Sequence, residues 1–95
     1  MSKSHRLKTD AAVFDAVADG RKNFEIRLND RNFQVGDELV LLKTQYTGQE
    51  MGQGRPLIYV GEPLHVEVTY ILKGPIYGLA DGWVILSISP PIGKD

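Results

Sequence analysis

The chain has 95 residues, of which 42% are hydrophobic and 24% are charged, the composition of a soluble globular protein. Eleven basic residues against twelve acidic ones give a formal net charge of -1, which excludes nucleic-acid binding through overall positive charge and leaves only a local basic patch. There is no cysteine, which excludes a disulfide framework, a thiolate nucleophile and a zinc–thiolate site.

The size of the chain predicts a single domain over residues 1–95, with a modest hydrophobic core. The N-terminal stretch Met1–Lys8 is polar and basic, without the apolar segment of a signal peptide, and no apolar run approaches a membrane span. The cytoplasm is therefore the expected location. No motif implies a cofactor, and none is expected.

The first elements are predicted from the residues before Gly20. His5–Lys8 is either a short first strand or an extended entry into the domain. A helix is predicted over Ala11–Asp19, because apolar residues recur on one side of it and Thr9 or Asp10 can accept a hydrogen bond as the N-cap. Gly20 then stands where a left-handed residue commonly ends a helix.

The next segment, Asn23–Leu28, alternates apolar and polar residues with the period of a strand that has one buried face. The residues expected to face the core are Phe24, Ile26 and Leu28. Glu25 and Arg27 are expected to face outward, close to Lys22. Such a face is either a preorganised polar site or a solvated surface ion pair worth about 0–1 kcal/mol.

Three further strands are predicted, separated by turns. Glu38–Thr44 contains four apolar residues in a row, which predicts a strand buried on both faces. After the least defined part of the chain, residues 45–62, alternation predicts a strand over Leu64–Ile71, and the last strand is predicted over Trp83–Ser89. Four or five strands with one N-terminal helix predict a mostly β (α+β) fold, a small β-barrel with the helix packed against it.

Five short motifs are spread over most of the chain. They are His5-x-Leu7-Lys8, Phe14-Asp15-x-Val17-x-x-Gly20-Arg21-Lys22-x-Phe24-Glu25-Ile26-Arg27-x-Asn29-Asp30-Arg31-x-Phe33-x-Val35-Gly36-Asp37, Tyr46-Thr47-Gly48, Val68-Thr69-Tyr70-Ile71-Leu72 and Gly82-Trp83-Val84-Ile85-Leu86-Ser87-Ile88. Together they resemble a small phage and bacterial family of unknown function, related to the ASCH group of the PUA-like superfamily. The block from Gly20 to Asp37 is the most specific part of this resemblance.

The resemblance implies a PUA-like β-barrel with a cleft between the barrel and the first helix. Domains of this superfamily commonly bind RNA, and some ASCH members are similar to amidohydrolases that act on acylated cytidine with a Lys, a Thr and a Glu. Lys22 matches the Lys, and Glu67 is a candidate for the Glu. Residues 23–25 are Asn, Phe and Glu, so the sequence departs from the catalytic pattern at the Thr.

Seven residues are predicted to bind a ligand. They are Lys22, Glu25, Arg27, Arg31, His5, Lys8 and Tyr46. Arg27 offers a planar set of donors suited to a phosphate or a base edge, Glu25 can accept from the exocyclic amine of a base, and Lys22 can pair with a phosphate. His5 and Lys8 are expected at the rim of the cleft and Tyr46 at its mouth.

Three hypotheses for the function follow. The first is a module that binds RNA, a nucleoside or a nucleotide in a polar cleft. The second is an amidohydrolase for an acylated cytidine, such as the N4-acetyl form, which would use Lys22 with Glu25 or Glu67. The third is a phage or bacterial accessory protein whose cleft binds a host protein. No metal site is expected, because His65 and Glu67 share a strand face without a third ligand at suitable spacing.

Overall fold

The structure, a computed structural model, describes residues 2–92; residues 1 and 93–95, the ends of the predicted domain, lie outside the described residues. The elements in chain order are β1 (Ser4–Asp10), α1 (Ala11–Ala18), β2 (Phe24–Leu28), β3 (Glu38–Thr44), α2 (Gly48–Gly52), β4 (Leu64–Lys73) and β5 (Trp83–Ile88). The longer helix has eight residues, and no helix in the described part of the chain has the length and apolar character needed to cross a membrane.

The five strands form one curled sheet, a half-barrel, in the order β1-β3-β4-β5-β2. β1 pairs with β3 in parallel, and the other neighbours pair antiparallel, so β1 and β2 are the two edge strands. The guanidinium of Arg27 donates to the carbonyl of Lys8 over 3.1 Å, and that of Arg31 donates to the carbonyl of Arg6 over 2.9 Å. Side-chain hydrogen bonds therefore bridge the two edges along a line that we call the β1–β2 seam. The predicted small, mostly β barrel with an N-terminal helix is confirmed.

The hydrophobic core fills the inside of the curled sheet. It draws apolar side chains from β1, β3, β4, β5 and α1, while β2 contributes none of them. All four consecutive apolar residues of β3, Leu39 to Leu42, are buried, as their uninterrupted run predicts. Because β2 contributes no side chain to the core cluster, the inner face of β2 is left to polar side chains.

The residues before the first helix form a full strand, β1, which resolves the two alternatives left by the sequence. Its buried side chains are His5, Leu7 and Thr9. Arg6 and Lys8 alternate with them and are exposed. Because successive side chains of a strand point to opposite faces, the two cations project from the same side of β1, one strand repeat apart.

Helix α1 ends one residue earlier than predicted, and its predicted side-chain cap is wrong. Asp10 stands at the N-cap position, but its Oδ1 accepts instead from the backbone N–H of Gly48 over 3.0 Å. The hydroxyl of Thr9 donates to the carbonyl of Leu7. Both side chains are thus engaged by other parts of the chain. Gly20 has a φ of +86°, the left-handed conformation expected after a helix.

A second helix, α2, lies in the segment that the sequence left undefined. The Thr47 hydroxyl accepts from the backbone N–H of Glu50 over 3.1 Å, and the Glu50 carboxylate accepts from the backbone N–H of Thr47 over 2.9 Å. This reciprocal pair is a capping box, which satisfies two free donors at the helix start. Further on, Tyr59 forms a single antiparallel bridge with Thr44 at the end of β3.

Gly74 lies where β4 turns towards β5 and has backbone atoms close beside it. A Cβ at this position would lie 2.0 Å from the carbonyl oxygen of Ala80 and 2.9 Å from that of Leu79. Because these are backbone atoms, Gly74→Ala is expected to lower the free energy of unfolding by about 1–3 kcal/mol, measured by urea denaturation. The control Gly52→Ala meets nothing within 4 Å and should stay within about 0.5 kcal/mol of the wild type. Equal unfolding free energies for the two variants would contradict the expected clash.

Candidate functional site

The face of β2 that points towards the core is not the face that was predicted to do so. Glu25 is only 2% exposed, whereas Phe24, Ile26 and Leu28 are 42%, 49% and 49% exposed. Arg27 is half-buried on the same side as Glu25. The alternation is present as predicted, but the assignment of its apolar side to the interior is wrong.

The pairing register with β5 explains this reversal. Glu25 lies opposite Leu86 and Arg27 opposite Val84, and both β5 residues belong to the buried core. Directly opposite residues of paired strands point to the same face of the sheet, so the charged pair of β2 shares the inner face. Because β2 is an edge strand, this inner face borders the β1–β2 seam, where a charged pair can meet both protein and solvent.

The buried carboxylate of Glu25 is held by two cations. Lys22 Nζ donates to its Oε2 over 2.6 Å, and Arg27 donates to its Oε1 from Nη2 over 3.1 Å and from Nε over 3.3 Å. Lys22 also donates to the backbone carbonyl of Phe24. Burying a carboxylate costs several kcal/mol unless cations and hydrogen bonds offset it, and here both are supplied. Lys22, Glu25 and Arg27 therefore do converge, but the carboxylate at the centre of the cluster is buried and does not face outward.

An open cavity of about 260 Å³ lies above this cluster, between the end of β1, the start of α1 and β2. We call it the Glu25 cavity. Its lining residues are Lys8, Thr9, Asp10, Val13, Lys22, Glu25, Ile26 and Arg27. Three of these residues are cationic and two are anionic. The lining therefore carries a net charge of +1 in a chain whose net charge is -1, which makes it a locally basic site with a carboxylate at its base.

A second open cavity of about 280 Å³ continues along the seam, and we call it the Trp83 cavity. It shares Ile26 and Arg27 with the Glu25 cavity. Arg31, a predicted ligand-binding residue, lines this second cavity and not the first. The seam thus presents two adjoining cavities, with Arg27 at their common boundary.

His5 does not lie at the rim of the cleft, and its predicted placement there is wrong. It is buried, its ring packs edge-on against Phe33 with centroids 4.8 Å apart, and its Nε2 donates to Oδ2 of Asp37 over 2.8 Å. Burial alone raises the pKa of Asp37, but hydrogen bonds from the backbone N–H of Lys3, from His5 and from the backbone N–H of Gln34 outweigh it. The pKa of Asp37 therefore lies below its usual value, and the pair ties β1 to the start of β3.

Tyr46 and Glu67 lie away from the cluster around Glu25. Tyr46 is half-buried under the guanidinium of Arg55, 5.3 Å from the ring centroid, and lines neither seam cavity. Glu67 is exposed on β4 opposite Glu38 of β3, and it also lines neither cavity. The structure therefore brings together Lys8, Lys22, Glu25 and Arg27 out of the predicted set, with Arg31 in the adjoining cavity.

A larger cavity of about 340 Å³ lies between α1 and the start of β4. Its charged or titratable side chains are Glu62 and His65, and His65 Nδ1 lies 3.0 Å from Glu38, to which it is hydrogen-bonded. Among residues 2–92, no cluster of charged groups converges there as it does at Glu25. Within residues 2–92 no group of three or more His, Asp or Glu side chains is placed to hold a metal ion.

Several residues that line the seam cavities were not predicted as site residues. Thr9 and Asp10 were interpreted as helix caps and Trp83 only as the first residue of the last strand, yet the first two line the Glu25 cavity and the third lines the adjoining one. Thr9 and Asp10 stand between the first strand and the first helix, so the sequence itself places this polar pair next to both elements. For Trp83, only the pairing of β5 with β2 reveals its position at the seam.

The fold and the β1–β2 seam define the class of protein, which is a small, curled β half-barrel domain with a charged cleft between its two edge strands. The family model described as "Domain of unknown function (DUF3850)" matches residues 4–88, and the chain belongs to this family. The chain is also similar to the "Uncharacterized 12.9 kDa protein in GpA 3'region" of Escherichia phage P2, with 39% identity over 54 residues. That match covers 54% of this chain and 50% of the phage protein, so the chain spans about half the length of this curated relative. Both findings support the predicted link to a small phage-associated family.

Proposed function

We propose that the protein is a binding module for RNA or a nucleotide, and that the Glu25 cavity receives a base. The observation that carries this proposal is the carboxylate of Glu25, almost fully buried at the base of an open cavity and held between Lys22 and Arg27. A cleft in which a few charged groups converge is a feature of many ligand-binding sites. The curled barrel with a cleft beside α1 also supports the proposed relation to PUA-like domains.

The chemistry of the cluster suits a base with an exocyclic amine. Oε1 of Glu25 already accepts two hydrogen bonds from Arg27, but Oε2 accepts only from Lys22, so Oε2 can also accept from such an amine. Arg27 uses Nε and Nη2, and in the described part of the chain Nη1 has no partner, so its two hydrogens can reach a phosphate or a base edge. Lys8 is exposed beside the cavity and adds a second cation for a phosphate.

Binding accounts for the geometry better than amide hydrolysis does. The ammonium of Lys22 is occupied by Glu25 and by the carbonyl of Phe24, so it serves as an ion-pair partner and not as a free nucleophile. Glu67, the second acidic candidate for catalysis, lies on β4 away from this cluster. The proposal therefore rests on recognition and not on a catalytic step.

Arg27→Ala is expected to weaken nucleotide binding about tenfold or more, because charge-assisted hydrogen bonds to a ligand are lost. Calorimetric titration of AMP, CMP, GMP and UMP at low salt measures this effect. At least one of the four should bind the wild type, with an affinity that falls as salt is added, because cationic side chains contact the phosphate.

The matched control for this experiment is Arg21→Ala. Arg21 is an exposed arginine that pairs with Asp19 and lines neither seam cavity, so the variant has the same net charge as Arg27→Ala. Its nucleotide affinity should equal that of the wild type. The proposal fails if none of the four nucleotides binds at low salt, or if Arg27→Ala and Arg21→Ala bind equally well.

A further inference from the structure

The Glu25 cavity is not isolated, because the Trp83 cavity adjoins it along the β1–β2 seam. The two cavities share Ile26 and Arg27, and each is about as large as the other. β1 and β2 run antiparallel across the seam, so that Lys8 lies opposite Arg27 and Arg6 lies opposite Arg31. A single extended ligand can therefore follow the seam from one cavity into the next.

Trp83 lines the second cavity from β5, where it lies opposite Leu28 and so projects from the same side of the sheet as Ile26 and Leu28. Its side chain is 40% exposed, so part of the indole is open to contact. Phe33 lines the same cavity but is fully buried, which leaves Trp83 as the aromatic ring that a ligand can reach there. Exposed aromatic faces beside basic side chains are the means by which proteins stack the bases of single-stranded nucleic acid.

The charges along the seam fit a sugar–phosphate chain. Arg6 and Lys8 are exposed on β1, Arg31 is exposed after β2, and Arg27 stands between the two cavities. Arg31 donates only Nη1 to the carbonyl of Arg6, and in the described residues its Nε and Nη2 have no partner. Asp30 also lines the Trp83 cavity, so the cations there outnumber the carboxylate by two to one.

We propose that the ligand of the seam is a single-stranded nucleic acid segment of at least two nucleotides. One base enters the Glu25 cavity, the neighbouring base stacks on Trp83, and the phosphate that joins them meets Nη1 of Arg27. This inference rests on the proposed function, which it deepens by setting the minimum length of the ligand and by assigning Trp83 a role in binding.

The test compares each mononucleotide with the dinucleotide of the same base. Calorimetric titrations of the wild type with AMP, CMP, GMP and UMP are set against pApA, pCpC, pGpG and pUpU, and against their deoxy forms. For the base that binds best, the dinucleotide should bind about tenfold more tightly, the gain that stacking of one further base provides. Trp83 is the only tryptophan in the chain, so its fluorescence should be quenched by the dinucleotide and not by the mononucleotide.

Variants of Trp83 test whether the gain in dinucleotide affinity comes from the indole ring. Trp83→Leu should reduce dinucleotide affinity to the level of the mononucleotide, whereas Trp83→Phe should keep part of the gain because a ring remains. Tyr70→Leu is the matched control, since Tyr70 is an exposed aromatic residue of the same sheet that lines neither seam cavity. Thermal unfolding of each variant confirms that the fold is retained.

Two distinct results separate this inference from the proposed function. Mononucleotide binding that depends on Arg27, without any gain for the dinucleotide or with a gain that survives Trp83→Leu, overturns the two-base inference and keeps the binding site. If neither the mononucleotides nor the dinucleotides bind, both proposals are overturned. Preference for ribose or deoxyribose identifies whether RNA or DNA is the source, and tight binding of either with dependence on Trp83 supports the inference.

Discussion

Glu25→Ala is expected to abolish nucleotide binding and to destabilise the fold. Removal of the carboxylate leaves Lys22 and Arg27, both half-buried, without the anion between them. Breaking a buried ion pair by removing one partner typically costs about 3–5 kcal/mol, and the exposure of the two cations here places the expected loss at the lower end, about 3 kcal/mol. Urea denaturation measures the stability, and calorimetric titration with the best-binding nucleotide measures the affinity.

Glu25→Gln separates recognition from stability. The amide keeps the shape of the side chain and one oxygen acceptor, so the stability should fall less than in Glu25→Ala, although the two cations still lose their anion. It loses the negative charge and one of the two acceptor oxygens, so we expect nucleotide affinity to fall at least about tenfold. The control is Glu67→Gln, an exposed glutamate outside both seam cavities, which should bind like the wild type. Full affinity in Glu25→Gln would contradict a role for this carboxylate in base recognition.

Asp37→Ala is expected to lower the free energy of unfolding by about 2–4 kcal/mol. Its carboxylate is buried and accepts hydrogen bonds from the backbone N–H groups of Lys3 and Gln34 and from the ring of His5. Removal of the shared acceptor leaves these donors unsatisfied, which is the costly case for buried polar groups. Asp81→Ala, at an exposed aspartate before β5, should change the stability by less than about 0.5 kcal/mol.

The same carboxylate gives the stability a defined pH dependence. Because the pKa of Asp37 is lowered in the folded state, its contribution is present above the pKa of the unfolded chain, about 3.9, and is lost as the pH falls towards the lower folded value. Asp37→Asn removes this titration, so the stability difference between wild type and variant should shrink between about pH 5 and pH 3. Hydrogen bonds from His65 and Ser4 lower the pKa of Glu38 in the same direction, and this effect cancels because both proteins keep it. A difference that is constant with pH would contradict the proposed role of the ionised group.

The parts of the fold that depend on local pattern were predictable. The uninterrupted apolar run of Leu39 to Leu42 is buried on both faces of β3, and Gly20 takes the left-handed conformation that ends α1. The capping box of Thr47 and Glu50 was also readable as a threonine followed three residues later by a glutamate, although it was not interpreted as a helix start.

The parts that depend on distant partners were not predictable. An alternating strand shows its period in the sequence but not which face is inside, and only the register of β2 against Val84 and Leu86 places Glu25 inward. The burial of His5 depends on Asp37, which is 32 residues further along the chain. The convergence of Lys22, Glu25 and Arg27 was predicted because they lie within six consecutive residues, whereas the position of Trp83 at the same seam required the sheet topology.

The most direct test of ligand binding at the β1–β2 seam is an NMR titration of the ¹⁵N-labelled protein with the best-binding dinucleotide. Shift changes are expected at the amides of residues 8–10, 22, 25–28 and 31 and at the indole N–H of Trp83, because these residues line the two seam cavities. Shift changes that cluster instead at residues 62–65 and 92, around the larger cavity beside α1, would contradict binding at the seam.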